Sequence, residues 1–355
     1  MGLFNNLFRK KEQTTKSSRF HAITVSDIRR LNENAVQVFL EIPTELQKDF
    51  EYIPGQYLNF EIELNGEKYR RSYSICSGPN EPLAIAVKTV ENGTISNWFN
   101  KELKKGDVLY VSAPEGNFTL QPELQNVVAI AAGSGITPIM SIAKSLPNGK
   151  VNLFFGNRSI RESLFLEELK SMQNVQLKGF LSQEEAEGFD KGRIDKLNFT
   201  EIIKADLNIL KSDAFFICGP EGLIHDVRET LKFFGVNDKK IKFELFTAPV
   251  QTEDIQEEQD FKGTSKVTVI LDHEKQTLEM KAGNTTILDA VEKNGMDAPY
   301  SCRGGVCCSC KAKVLEGKAT MRVNYTLTDE DIKNGYILTC QAHPASEILV
   351  ISFDE

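Results

Sequence analysis

The sequence predicts a multidomain chain: an antiparallel β-barrel, then an α/β domain on a parallel sheet, then a compact α+β unit. Three observations carry that expectation. Short alternating segments fill residues 20 to 120, apolar runs each followed by a helical pattern fill the middle, and the end holds four spaced cysteines. At 355 residues there is room for three cores.

Residues 20–122 read as strands in FHAITV, AVQVFLEI, QYLNFEIEL, YRRSYSIC, LAIAVKTV and DVLYVSAP, split by Gly, Pro and Asn turns. Many short strands at this spacing predict a barrel. One helix interrupts them, TISNWFNKEL, with Thr94 as its expected N-cap and its end before Gly106. In residues 123–246, NVVAIAA precedes ITPIMSIAKSL, KVNLFFG precedes ESLFLEELKSM, and DAFFICG precedes EGLIHDVRETLKFFG. That alternation predicts parallel strands with crossover helices. Residues 247–263, TAPVQTEDIQEEQDFKG, carry five acids without apolar periodicity and read as a solvated linker.

Residues 264–355 open with paired strands in SKVTVILDHEKQTLEMKAG, followed by a capped helix, TTILDAVEKNG, that leads into the cysteine loop. A second short helix is expected at Thr328, where Asp331 takes the Glu position of a capping box. Residues 1–19 read as a flexible tail, in which Leu3 to Lys11 form only a weak amphipathic patch. Asn6 spoils a myristoylation pattern.

Composition narrows the function. Hydrophobic content of 41% and a formal charge of −8 give no basic surplus, so no nucleic-acid partner is expected. No apolar run reaches spanning length, and the opening MGLFNNLFRKKEQ places its apolar residues before its basic ones, the reverse of a signal peptide. Seven cysteines, four of them in a ligand-like spacing, point to a reducing compartment, and the cytoplasm is expected.

Cys302, Cys307 and Cys310 stand in SCRGGVCCSC, and Cys340 follows in LTCQAHP. This C-x4-C-x2-C run with a distant fourth thiol is the spacing of a plant-type [2Fe-2S] cluster, which needs four thiolates. Gly304 and Gly305 are expected to let the loop bend. A zinc site is the competitor, since Cys307, Cys310, Cys340 and His343 make a Cys3His set, but it leaves Cys302 without a role. Cys308 fits neither pattern and reads as a bystander packed under the loop.

Three glycine turns follow three apolar strands: AAGSGITP, FFGNR and ICGPEG. In a parallel sheet that carboxyl edge binds ligands, and Gly133 and Gly135 would let backbone amides approach a pyrophosphate at a helix start. Pro138 suits the first turn. Each turn alone is weak; three in register predict a dinucleotide site.

With these motifs in this order, the chain from about residue 20 to 355 resembles the ferredoxin reductase family. It is similar to the subgroup in which a flavin barrel, a nicotinamide domain and a C-terminal plant-type ferredoxin share one chain, and to the reductase components of bacterial oxygenases. The resemblance implies a β-grasp fold for the last domain and FAD rather than FMN in the first. It implies that Arg71 meets the flavin pyrophosphate, Tyr73 the ring system and Ser74 the ring near N5. Without the later domains, Arg70 and Arg71 would read as solvent charges flanking a buried tyrosine. Gly93, Thr94 and Ser96 match the second flavin-phosphate site, although capping explains them equally.

The same resemblance sets Gly133, Gly135, Thr137 and Pro138 beneath the nicotinamide nucleotide. Cys218, Gly219 and Pro220 bring a thiol beside the reacting carbon, with Leu223 where the family has methionine. Glu244 and Phe246 in FELF resemble a motif facing the flavin, although a strand of alternating Phe is also simple core packing. Ser74, Cys218 and Glu244 are the catalytic candidates. Arg158 and Ser159 suit a 2′-phosphate and favour NADPH, yet they also suit the ribose of NADH.

Nicotinamide delivers two electrons as hydride and the cluster accepts one, so a flavin between them holds the pair and releases it singly. The implied route runs from NADPH or NADH through FAD and the [2Fe-2S] cluster to an oxygenase or other redox metalloenzyme. A redox sensor or interaction protein with the same cofactors is the alternative; it would call for an output element, and none is visible. Arg303 is a candidate for charge compensation at the cluster or a solvated side chain.

Overall fold

The computed structural model describes residues 19–247, 261–281, 283 and 285–355. The Leu3–Lys11 patch, nearly all of the expected tail and most of the expected acidic linker lie outside the described residues.

The first unit holds β1 (His21–Asn32), β2 (Ala35–Glu41), β3 (Tyr57–Leu64), β4 (Glu67–Ser74), β5 (Ala84–Lys88) and β6 (Val108–Val111). All pair antiparallel, in the order β4-β3-β6-β1-β2-β5. The two ends meet where Ile75 bridges Ile85 and Cys76 N donates to Ala84 O at 2.8 Å, so the sheet closes on itself. Inward alternation fills the barrel with Ile23, Val25, Val38, Leu58, Phe60 and Ile62.

Helix α1 (Thr94–Lys101) covers this core with Ile95 and Phe99. Its N-cap is Gly93, one residue before the expected Thr94. The reason is local: Ser96 Oγ accepts from Val90 N at 3.0 Å and would lie 2.7 Å from any Cβ on Gly93, so the hydroxyl occupies the space that a side chain at the N-cap would need.

The second unit holds β7 (Asn126–Ala132), β8 (Lys150–Asn157), β9 (Val175–Leu181), β10 (Phe189–Lys191), β11 (Ala214–Cys218) and β12 (Ile241–Glu244). They run parallel in the order β10-β9-β8-β7-β11-β12. Helices α2 (Ile136–Lys144) and α3 (Leu166–Ser171) pack with Val127, Ala129 and Ala131 on one face. Helices α4 (Lys196–Ala205) and α5 (Glu221–Phe233) pack with Val128 and Ile130 on the other. The sheet is doubly wound, and its strand order reverses between β7 and β11, the crevice where such sheets bind ligands.

The third unit holds β13 (Thr264–Leu271), β14 (Glu274–Lys281), α6 (Ile287–Lys293), β15 (Lys311–Glu316), β16 (Ala319–Met321), α7 (Asp329–Lys333), β17 (Tyr336–Leu338), β18 (Ala342–Pro344) and β19 (Ile348–Ser352). A mixed sheet, β14-β13-β19-β15-β17, packs on α6 through Ile287, Leu288 and Val291, while β16 and β18 pair apart from it. Thr328 and Asp331 form the expected capping box at α7.

Ion pairs tie the first two units together. Lys144 of α2 meets Glu81 and Glu168, each at 2.7 Å, and Lys88 meets Glu162 at 3.0 Å. Among the described residues no helix is long and apolar enough to cross a membrane.

Candidate functional site

Three strand ends converge where the first two units meet. Ser74 closes β4, Cys218 closes β11 and Glu244 closes β12, and Cys218 and Glu244 stand in register on adjacent strands. Ser74 Oγ donates to Glu244 Oε2 at 3.4 Å across the unit boundary. The structure therefore brings together the three catalytic candidates, which lie far apart in the sequence.

Burial raises the Glu244 carboxyl to about 8, against a lowering hydrogen bond from Ser74. Cys218 is fully buried, and burial followed by the charge of Glu244 pushes its thiol well above its ordinary value. Near neutral pH the pair is thus a thiol beside a largely protonated carboxyl. A carboxyl whose folded value lies above its unfolded 4.5 binds its proton more tightly in the folded chain. Its contribution to stability is complete at low pH and is lost as pH rises toward 8. Glu244→Gln is expected to flatten that decline in thermal unfolding of the cofactor-free chain between about pH 5 and 8; an unchanged slope would place the effect elsewhere.

The nucleotide edge lies beside this cluster. Gly133 takes φ +55°, and a Cβ on Gly135 would sit 2.1 Å from Cys218 O, so the β7 and β11 turns touch backbone to backbone. Only glycine permits that approach. Gly219 lies against Ala132, Pro220 caps α5, and Pro138 falls in the first turn of α2. Thr137 Oγ1 donates to Ser134 O at 3.0 Å, which braces the turn from within.

At the end of β8, Arg158 is exposed, and Ser159 caps a short turn over Ile160–Glu162. Asn157 Oδ1 is buried with no partner among the described residues, an acceptor left open at the ligand edge. Sequence reasoning missed Glu184, whose carboxylate accepts from Ile160 N at 2.9 Å at this turn. Its only signal was an acidic run at the expected strand edge, which reads equally as a solvated loop.

On the flavin side, Arg71 is exposed, with Nη1 donating to Arg70 O at 2.7 Å, and Tyr73 packs edge-on against Phe60 and Phe99. The Ser96 hydroxyl is engaged by Val90 N and Gly93 O, so this residue offers an anion its backbone amide rather than its side chain. Phe246, past the end of β12, is 42% exposed and lies open beside the site. Arg70 departs from a solvent charge: it is 1% exposed.

The four spaced cysteines form two pairs. Cys307 Sγ donates to Cys302 Sγ at 3.1 Å, and Cys310 hydrogen-bonds Cys340. The Cys307 bond, with help from the backbone amides of Gly304, Val306 and Cys307, lowers Cys302 to about 6, and the Cys310 bond likewise lowers Cys340. Among the described residues no three His, Cys, Asp or Glu gather around one metal position. Two thiol pairs suit two irons, each taking two thiolates, better than one tetrahedral ion. His343 turns away from any such set, with Nδ1 against Thr285 O at 3.0 Å.

The loop bends at Arg303 (φ +53°) and Gly305 (φ +72°), whereas Gly304 stays outside the left-handed region, a correction to the expected Gly304–Gly305 bend. Arg303 pairs with Asp289 at 3.0 Å and Glu292 at 2.5 Å and lies over the Tyr300 ring. Those acids already balance its charge, so it is neither a free counter-charge for a cluster nor merely solvated. Cys308 is half-buried, its Sγ 3.1 Å from Thr326 Oγ1.

Residues 22–120 match the oxidoreductase FAD-binding domain, 129–229 the oxidoreductase NAD-binding domain, and 269–345 the 2Fe-2S iron-sulfur cluster binding domain. The chain is 35% identical to one of the subunits of 1,2-phenylacetyl-CoA epoxidase from Escherichia coli K12, covering 94% of this chain and 98% of that protein. The chain belongs to the ferredoxin reductase family. It is a three-domain oxidoreductase with FAD-binding, NAD-binding and 2Fe-2S domains, built for electron transfer.

This reductase is also 32% identical to the ferredoxin reductase component of 3-ketosteroid-9-alpha-monooxygenase from Rhodococcus rhodochrous, covering 95% and 97% of the two chains. Phthalate dioxygenase reductase, described as a modular structure for electron transfer from pyridine nucleotides to [2Fe-2S], superposes with a TM-score of 0.57 at 25% identity, covering 94% and 98%. A self-sufficient type IV cytochrome P450 monooxygenase shares the fold over 96% of this chain and 43% of its own, with a TM-score of 0.73 at 20% identity.

Proposed function

We propose that this reductase takes hydride from NAD(P)H and passes single electrons to an oxygenase of the phenylacetyl-CoA epoxidase type. The 35% identity over nearly the whole of both chains supports that acceptor. The observation that carries the reading is the convergence of Ser74, Cys218 and Glu244 at the junction of the FAD-binding and NAD-binding domains, with the paired cysteines in the domain that follows. When bound, the flavin accepts the electron pair of a hydride and gives it up singly, and the cluster relays single electrons.

The chain's own residues then have distinct tasks. Arg71 and the amides at Gly93, Thr94 and Ser96 would hold the flavin phosphates, and Tyr73 and Phe246 would flank its ring. Gly133, Gly135, Thr137, Pro138, Gly219 and Pro220 shape the nucleotide floor, and Arg158 and Ser159 border its ribose. Cys218 keeps an apolar thiol beside the hydride-transfer point, while Ser74 and the protonated Glu244 supply a proton-bearing pair there. Cys302 and Cys307 would hold one iron and Cys310 and Cys340 the other. We place the domain limits at 20–122, 123–246 and 264–355, and the protein in the cytoplasm, where thiols stay reduced.

Plant-type clusters lie near ~−400 mV, and sulfur hydrogen bonds raise that figure. Gly304 N donates to Cys302 Sγ at 3.3 Å, and Gln341 Nε2 lies 3.8 Å from Cys340 Sγ. A midpoint above ~−400 mV is expected in an anaerobic redox titration, and a value at or below it would contradict this account. The function itself is tested by anaerobic reconstitution with FAD, iron and sulfide, followed by NAD(P)H-driven reduction of cytochrome c. Holoprotein that reduces neither its flavin nor cytochrome c would overturn it.

A further inference from the structure

The β3–β4 hairpin has two faces, and its register assigns them. Tyr57 stands opposite Ser74, Asn59 opposite Ser72 and Glu61 opposite Arg70. By the two-residue period of a strand these six side chains share one face, while Leu58, Phe60, Ile62, Arg71 and Tyr73 share the other. The second face belongs to the barrel, where Leu58, Phe60 and Ile62 enter the core and Tyr73 packs on Phe60 and Phe99.

The first face carries the cysteine loop. Asn59 Nδ2 donates to Ser309 Oγ at 3.0 Å, Tyr57 OH lies 3.3 Å from the same hydroxyl, and Cys308 N donates to Tyr57 OH at 3.3 Å. Ser72 Oγ lies 2.7 Å from Ser301 Oγ. Ser301 precedes Cys302, Cys308 follows Cys307 and Ser309 precedes Cys310, so three of the four thiol positions are flanked by residues bonded to this ribbon.

Arg70 completes the contact. Its Nε and Nη2 donate to Glu61 Oε2 at 2.9 and 2.7 Å within the barrel. Across the boundary, Nη1 donates to Ala298 O at 3.0 Å and Nη2 to Asp297 Oδ1 at 2.6 Å, while the guanidinium lies over Tyr300. Without the third domain, Nη1 would lose its acceptor, Nη2 its second carboxylate and the guanidinium its Tyr300 cover, leaving Glu61 as its carboxylate partner. The barrel face is complete only when the third domain is seated.

We propose that this face is a fixed dock for the cluster loop, with Arg70 and Asn59 as positioning residues that hold residues 297–309 behind the ribbon ending at Ser74. The proposal rests on the function proposed above. Two electrons arriving as hydride leave in two single transfers through the seated cluster to an external one-electron acceptor. The dock governs only that second stage and adds no proton or co-reactant.

The test uses the full cofactor-loaded chain with Arg70→Met and Asn59→Leu, together with Asp297→Ala, whose side chain is 46% exposed and whose loss leaves no empty core. Stopped-flow absorbance follows flavin reduction and then cluster reduction, and amide hydrogen exchange of residues 297–309 reports seating without turnover. In the first two variants, flavin reduction is expected within about twofold of the parent, with cluster reduction at least about tenfold slower and exchange at least about tenfold faster. Asp297→Ala should shift both in the same direction, by less. Parental cluster-reduction rates in cofactor-replete Arg70→Met and Asn59→Leu would overturn the dock, as would unchanged exchange. If those two variants lose their cofactors, parental rate and exchange in Asp297→Ala overturn it instead. A parent chain that NAD(P)H does not reduce would refute the functional reading alone, and the exchange data would still judge the dock.

Discussion

Cys310→Ser is expected to lower NAD(P)H-driven cytochrome c reduction by about 100-fold or more, while NAD(P)H still reduces the flavin within about twofold of the parent rate. Cys310 is 1% exposed and paired with Cys340, so a serine there replaces a soft thiolate with a harder, shorter ligand. Ser74, Cys218 and Glu244, by contrast, sit at strand ends of the other two domains. Stopped-flow flavin reduction and steady-state cytochrome c assays on one preparation separate the two stages. Equal loss of both would mean that the loop supports the whole molecule, through neighbours such as Ser309 bonded to Asn59.

The second large effect is at Gly135. A methyl group there would meet Cys218 O at 2.1 Å, Cys218 C at 2.5 Å and Gly219 N at 3.0 Å, all main-chain atoms that cannot rotate aside. Relief requires the β7 and β11 turns to part, which moves Cys218 away from Ser74 and Glu244. Gly135→Ala is expected to cost ~2–4 kcal/mol of stability and to slow flavin reduction by NAD(P)H at least about tenfold, with flavin and iron content kept. Gly222→Ala is the control: its Cβ meets nothing within 4 Å in α5, and the change should be neutral or slightly stabilising. Denaturant melts and transient kinetics on both variants distinguish steric parting of the turns from a general intolerance of alanine.

The domain order was legible because its signals are local. Alternating short strands, apolar runs ending in glycine, and the Cys302 to Cys310 spacing each lie within a window of a dozen residues. The capping box at Thr328 and Asp331 is equally local, and the structure forms it as expected. Less visible were β9, VQLKGFL, and α4, KLNFTEIIKA, in which lysine, glutamine and glutamate dilute the apolar pattern until packing on the sheet decides the conformation.

The candidate site divides along the same line. Ser74, Cys218 and Glu244 were nameable one by one through the family resemblance, but their meeting depends on a sheet order and a domain junction. Arg70 defeats a local reading because its partners stand at Glu61 across a hairpin and at Asp297 in another domain, and no window around RRSYS contains both. The bend at Arg303 is hidden because the two glycines after it are the obvious hinge, whereas the fold pairs Gly305 with an arginine in the left-handed region, braced by Asp289 and Glu292.

The parity of the β3–β4 ribbon bears on how such reductases are recombined. A one-residue insertion between Gly66 and Arg70 would turn Arg70 and Ser72 into the barrel and Arg71 and Tyr73 outward, exchanging the two cofactor sides at a stroke. Chimaeras that graft a foreign iron–sulfur module onto this barrel should therefore transplant the strand pair 57–74 with it, in unbroken phase, because the joint between modules is written in alternate residues rather than in the linker.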